Sequence, residues 1–176
     1  MKIINENLKK AGYVNTVLIL IAIVLRIIGI FKAPALVVID SIICIAALVF
    51  GLIYALNGYK KGVAKYYKIF MYLLVLSSLL ALSTLIVEFD VLTFICDIIV
   101  LACVLILALT KDLGEYKSNC CSILILSANL VKCFYTFLKT TDIVLTSAGF
   151  ANLVLACILC VFVSAKYTDK ESRGSK

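Results

Sequence analysis

Six long apolar segments constrain this chain more than any other feature of its sequence. They comprise residues 14–31, 35–56, 69–87, 91–110, 120–138 and 143–165. Each has about 20 residues, which is the length that an α-helix needs to cross the hydrocarbon of a bilayer. Backbone groups in lipid must be satisfied within a helix or a closed barrel, and long runs without period-2 alternation exclude the barrel. The sequence therefore predicts an all-α, polytopic membrane bundle of six transmembrane helices.

The composition supports a single membrane domain. The chain is 64% apolar and 15% charged, whereas soluble domains are about 45–50% apolar and about 25% charged. No polar stretch is long enough to fold separately, so residues 1–176 are expected to form one domain. The first apolar run precedes Ala33-Pro34-Ala35, which resembles the cleavage site of a leader peptide. We expect this first helix to be retained, because its run is 18 residues long and contains Arg26.

Basic residues are distributed unevenly between the two sides of the predicted bundle. If six helices alternate in direction, 13 of the 17 lysines and arginines fall on the side of the two termini. They are Lys2, Lys9, Lys10, Lys60, Lys61, Lys65, Lys68, Lys111, Lys117, Lys166, Lys170, Arg173 and Lys176. The loops on the other side hold only Lys32 and Lys139. The positive-inside rule then predicts a cell-membrane protein with cytoplasmic termini, whose net charge of +7 contacts anionic headgroups rather than nucleic acid.

Four charged side chains interrupt the apolar segments at roughly one depth. Asp40 and Asp97 lie five and six residues after the starts of their segments, whereas Arg26 and Lys132 lie five and six residues before the ends of theirs. Each would cost about 2.5–3.5 kcal/mol if it stood alone at the bilayer centre. Opposite charge at matched depth predicts that Asp40 pairs with Arg26, and that Asp97 meets Lys132 or joins the same cluster. Such pairs either fix the packing of the helices or face a site for a solute.

Polar and small side chains recur on single faces of the predicted helices. Asn129 and Lys132 share a face of the fifth helix, Ser77 lies on a polar face of the third, and Asn152 begins a face of small residues on the sixth. Small residues let helices approach closely in lipid, which explains most of these positions without a ligand. The faces on the third and fifth helices are the best candidates to line a cavity. The predicted site lies between helices 1, 2, 4 and 5 on the outer side, and its candidate substrate-binding residues are Arg26, Asp40, Asp97, Asn129, Lys132 and Asn152.

The spacing of similar segments raises the possibility of three tandem helical-hairpin repeats. LACVLIL at 101–107 resembles LACILCV at 155–161, which lies 54 residues later, and Asp40 and Asp97 are 57 residues apart. Internal repeats are common in transporters. Apolar sequences also resemble one another by chance, so both explanations stay open.

The cysteines give little evidence of a disulfide framework, a metal site or a catalytic site. Six of the eight lie within apolar segments, where cysteine behaves as a small hydrophobe, so no required disulfide is expected. Cys157 and Cys160 form an isolated C-x-x-C, and the chain has neither a second such pair nor any histidine to complete a zinc site. We therefore expect no metal, no cofactor and no enzymatic activity.

Two functions from different classes fit these features. The first is a small-solute transporter, or a membrane subunit of one, with a polar site in the outer half of the bundle. The second is a non-catalytic accessory or assembly subunit of a larger membrane complex, either as a homo-oligomer or beside a partner membrane subunit. A water-accessible cavity that reaches Asp40 and Asp97 favours transport. A closed bundle with an exposed stripe of small residues favours the accessory role.

Overall fold

The structure, a computed structural model, consists of six α-helices within the residues that it describes. They are α1 (Lys2–Ile30), α2 (Ala35–Leu56), α3 (Ala64–Thr84), α4 (Val91–Leu109), α5 (Glu115–Lys139) and α6 (Ile143–Gly174). The described backbone covers residues 2–30, 34–57, 59, 64–84, 89–110, 113–140 and 142–174, and it contains no strand. Side chains are described over 8–30, 34–57, 59, 64–83, 89–110, 113–140, 142 and 146–167.

Each helix contains an apolar stretch long enough to cross a membrane, from 19 to 25 residues. The prediction of an all-α, six-span membrane bundle is confirmed. Its division into three tandem hairpin repeats stays a prediction. Five of the basic residues behind the predicted orientation lie outside the described residues, namely Lys32, Lys60, Lys61, Lys111 and Lys176.

Several helices extend beyond the apolar segments that predicted them. The α2 bounds match the predicted 35–56, but α1 begins at Lys2 rather than near residue 14, and α6 continues to Gly174. Similarly, α5 begins at Glu115, five residues before its apolar run. Hydropathy reports only the part of a helix that lies in hydrocarbon, whereas backbone hydrogen bonding continues into the polar sequence beyond it.

The six helices form a closed ring. Each helix packs against its neighbours in the chain, and α6 packs against α1. The first residues of α1, α3 and α5 and the last residues of α2, α4 and α6 lie at one end of the bundle, here called the terminal end. The opposite ends of the same six helices form the distal end. Large aliphatic side chains such as Val17, Leu20 and Val24 are exposed on the outside of the ring, as a lipid-facing surface requires.

An aromatic cluster fills the terminal half of the ring. The ring centroid of Phe162 lies 5.4 Å from that of Tyr54, 5.9 Å from Tyr59, 6.3 Å from Tyr67 and 5.2 Å from Phe70, with steeply inclined ring planes. Edge-to-face contacts of this kind stabilise aromatic packing beyond the area that is buried. These five residues make the terminal half of the bundle a closed apolar core.

Tyr59 contributes to this cluster from the connection between α2 and α3. Its φ of 59° lies in the left-handed region, which bulky residues rarely adopt. The hydroxyl accepts a hydrogen bond from the Asn15 amide at 3.4 Å. Burial nevertheless raises the pKa of Tyr59 to about 12, so the hydroxyl stays protonated at neutral pH.

Candidate functional site

The distal half of the ring contains a partly open cavity of about 60 Å³ with polar and apolar side chains in its lining. Side chains from α2, α3, α4, α5 and α6 line it. Its polar lining consists of Asp40, Ser77, Ser78, Asp97, Asn129, Lys132 and Asn152. Its deep wall is apolar and includes Leu159, one helical turn from Phe162 of the aromatic cluster. The cavity is therefore polar in the distal half and closed by apolar side chains toward the terminal end.

The first ion pair beside this cavity joins α1 to α2. The Arg26 guanidinium donates from Nη1 to Asp40 Oδ2 at 2.8 Å, and the Arg26 side chain is only 3% exposed. Arg26 also donates from Nη2 to Asn152 Oδ1, which links α1 to α6. The predicted pairing of Arg26 with Asp40 is confirmed. The bond to Asn152 was not predicted, because the two residues are 126 positions apart and no local pattern connects them.

The second oxygen of Asp40 is bonded from α3. The Ser77 hydroxyl donates to Asp40 Oδ1, and the Cys44 thiol lies 3.1 Å from the Ser77 oxygen. Both carboxylate oxygens of Asp40 are thus hydrogen-bonded, one by a cation and one by a hydroxyl. The sequence placed Ser77 on a polar face of the third helix but offered no means of assigning it to Asp40.

The second ion pair joins α4 to α5. Lys132 Nζ lies 2.7 Å from Asp97 Oδ1 and 2.8 Å from Asp97 Oδ2, so the ammonium donates to both oxygens. Asp97 is buried, and the Lys132 side chain is 21% exposed toward the cavity that it lines. The predicted meeting of Asp97 and Lys132 is confirmed. One turn away, the Asn129 amide donates to the Ile125 carbonyl at 2.8 Å.

A third acidic group, Asp90, lies at the distal end and outside the cavity lining. Its carboxylate caps the start of α4 by accepting from the backbone N–H groups of Leu92 and Thr93. It also accepts from the Tyr135 hydroxyl at 2.7 Å and from Lys139 Nζ at 3.0 Å. The Tyr135 hydroxyl, followed by Lys139, holds the pKa of Asp90 well below its usual range. An aspartate directly before an apolar run is a capping signal that would have identified it from the sequence.

The structure brings five of the six predicted site residues to the cavity and places the sixth behind it. Asp40, Asp97, Asn129, Lys132 and Asn152 line the space, whereas Arg26 is absent from the described lining and reaches it through its bonds to Asp40 and Asn152. The predicted surroundings therefore differ in detail. The faces of α3 and α5 line the cavity as expected, but α6 also contributes to the wall and α1 lies behind it. Hydropathy alone does not say which helices are neighbours in a ring.

Two further observations complete the description. All eight cysteines are free, including Cys157 and Cys160 on α6. Comparison of the chain with protein-family models, with curated proteins and with solved structures gives no match. The six apolar helices define the class of this chain, a multi-pass membrane protein.

Proposed function

We propose that this protein binds a small solute in the distal cavity and passes it across the membrane, either alone or as the membrane subunit of a transporter. The observation behind the proposal is the space itself, because seven polar or charged side chains from five helices line about 60 Å³ inside an otherwise apolar bundle. Ion pairs that only hold helices together need no open volume beside them. A polar cavity at this depth instead lowers the free-energy cost for a polar solute to enter the hydrocarbon region.

The sidedness of the proposed site follows from the positive-inside rule. The lysines at the terminal end whose side chains are described are Lys9, Lys10, Lys65, Lys68, Lys117 and Lys166. At the distal end the described connections and helix ends carry Lys139. We propose that the terminal end lies in the cytoplasm, close to anionic headgroups, and that the cavity serves the outer half of the cell membrane.

The accessory-subunit alternative has less support. It requires a stripe of small residues on the outside of the bundle, where a partner helix could pack closely. Small residues of α2 and α6 are instead turned inward, as the burial of Cys44, Ala47, Gly51 and Ala156 indicates. The outward faces carry branched and aromatic side chains that suit lipid.

A cavity-filling substitution tests the proposal. Ala156 is buried on the cavity wall, so Ala156→Leu places a large side chain into the space without adding charge. Ala102→Leu, at an exposed position of α4, is the matched control for the same change in a lipid-facing place. The two variants and the unchanged protein are purified in mild detergent, and copurifying molecules are identified by mass spectrometry before reconstitution into vesicles for uptake measurements.

The outcomes separate the two functions. If the proposal is correct, Ala156→Leu loses solute copurification and uptake, whereas Ala102→Leu retains both and each variant keeps its thermal stability. If a membrane subunit copurifies in fixed stoichiometry with all three proteins and no solute uptake exceeds that of empty vesicles, the accessory role replaces it.

A further inference from the structure

The charges around the distal cavity balance, and we infer from this that its solute is a small polar molecule without charge. The inference rests on the proposed function and narrows it to a class of substrate. The two carboxylates of the site, Asp40 and Asp97, are matched by two cations, Arg26 and Lys132. The site therefore has no net charge with which to compensate an ion.

Each of the two carboxylates is also already hydrogen-bonded through both of its oxygens. Asp97 has both oxygens bonded to Lys132, and Asp40 has one oxygen bonded to Arg26 and the other to Ser77. Among the residues described in the structure, no unpaired charged side chain lines the cavity. A charged solute would have to lose its hydration and then break one of these pairs, which leaves a buried charge uncompensated.

Hydrogen-bonding capacity remains on the two carboxamides. Asn152 accepts from Arg26 through Oδ1, which leaves its NH2 group to donate. Asn129 donates one N–H to Ile125, which leaves its carbonyl oxygen and its second N–H. These groups suit a solute that both donates and accepts hydrogen bonds, such as a small amide or polyol.

Size and wall chemistry limit the solute further. A volume of about 60 Å³ has room for only a few water molecules. The apolar wall that includes Val104, Ile125 and Leu159 offers contact to a carbon skeleton rather than further polar partners. A molecule of the size of urea fits these limits.

The test compares two molecules that differ in charge and share their shape. Urea and guanidinium are both planar and nearly equal in size, so uptake into vesicles that contain the protein isolates the effect of charge. We expect urea uptake, corrected for empty vesicles, to exceed guanidinium uptake by at least about tenfold, because transferring an unpaired charge costs more than the 1.4 kcal/mol that a factor of ten represents. Glycerol, glycine and formate extend the panel to a polyol, a zwitterion and an anion.

Variants of the Asp97–Lys132 pair supply the internal control. Lys132→Gln leaves Asp97 without its cation, so the ratio of urea to guanidinium uptake should fall by at least about tenfold. Lys132→Gln combined with Asp97→Asn restores neutrality, and the ratio should return toward that of the unchanged protein even if the absolute rate does not. If the single variant does not fold, the unchanged protein and the double variant still test the preference.

The outcomes distinguish this inference from the proposed function. Guanidinium or formate uptake equal to urea uptake overturns the uncharged class but leaves a solute transporter. Glycine uptake faster than both urea and glycerol uptake overturns it in favour of a zwitterion. Uptake of no probe above the level of empty vesicles contradicts the proposed function itself.

Discussion

Neutralising Asp40 should destabilise the bundle more than removing the whole ion pair does. Asp40→Asn keeps the shape of the side chain and its ability to accept a hydrogen bond, but it leaves the Arg26 guanidinium as a buried cation without an anion. Arg26 is only 3% exposed and bonds to Asp40 at 2.8 Å, so solvent offers it little compensation.

The magnitude follows from the burial of the pair. Two unit charges about 4 Å apart attract by about 4 kcal/mol at the effective dielectric constant of about 20 that suits partly buried sites. Removing one partner of a buried pair typically costs about 3–5 kcal/mol. The double variant Arg26→Gln with Asp40→Asn replaces the ion pair by two neutral amides, for which the loss should be about 1–2 kcal/mol, comparable to a lost hydrogen bond.

The assay is equilibrium unfolding of the purified protein in detergent, with the free energy of unfolding compared among the two single variants, the double variant and the unchanged protein. Lys139→Gln is the matched control, because it breaks an ion pair of similar length, 3.0 Å, whose lysine side chain is 64% exposed. That substitution should change stability far less than either single variant of the buried pair. Equal losses in the single and double variants would refute the claim that Arg26 and Asp40 compensate each other.

Three other predictions concern the distal end, the aromatic cluster and the topology. Because the folded-state pKa of Asp90 is lowered, the ionised carboxylate stabilises the fold fully above the pKa of the unfolded chain, and this stabilisation should be lost as pH falls below about 4. The free energy of unfolding should therefore fall less steeply with acid in Tyr135→Phe, and an unchanged dependence on pH would contradict this. Gly51→Ala should destabilise the protein by up to about 2 kcal/mol, because its Cβ would lie 3.2 and 3.3 Å from the rings of Phe162 and Phe70 and the overpacking cost of about 1–3 kcal/mol exceeds the gain of about 1 kcal/mol for alanine in a helix; equal unfolding midpoints would exclude this tight packing. In intact cells an impermeant thiol reagent should label Lys139→Cys and miss Lys61→Cys, and the reverse pattern would overturn the predicted orientation.

The number of helices could be predicted from the sequence because it depends mainly on one physical effect, the gain in free energy when apolar runs enter lipid. The ion pairs could also be predicted, since a lone charge in hydrocarbon is so costly that opposite charges at one depth have strong reason to meet. Arg26 and Asp40 lie on helices joined by a short connection, which makes their contact almost local.

The closure of the ring could not be predicted in the same way. The contact of α6 with α1 carries no local sequence signal, because side chains from opposite ends of the chain create it. For the same reason the bond from Arg26 to Asn152 and the bond from Ser77 to Asp40 were missed. The cavity depends on these long-range contacts. Hydropathy and charge therefore could not specify that its lining would come from all five helices α2 to α6.

The bonds among Arg26, Asp40, Asp97 and Lys132 also bear on which solute the proposed site would accept. Arg26 ties α1 to both α2 and α6, and so it contributes to closing the ring where the first and last helices meet. From this position behind the wall it neutralises Asp40 without occupying the cavity. Lys132 neutralises Asp97 in the same way, although Lys132 is itself one of the residues that line the cavity. The cavity can therefore be polar without exposing a free charge, a condition that favours solutes able to exchange hydrogen bonds and disfavours those that bring a charge of their own. On this basis the structural role of the four charged residues is compatible with the proposed binding of a solute, since loss of the charge balance would weaken the ring and, under that proposal, alter the selectivity as well.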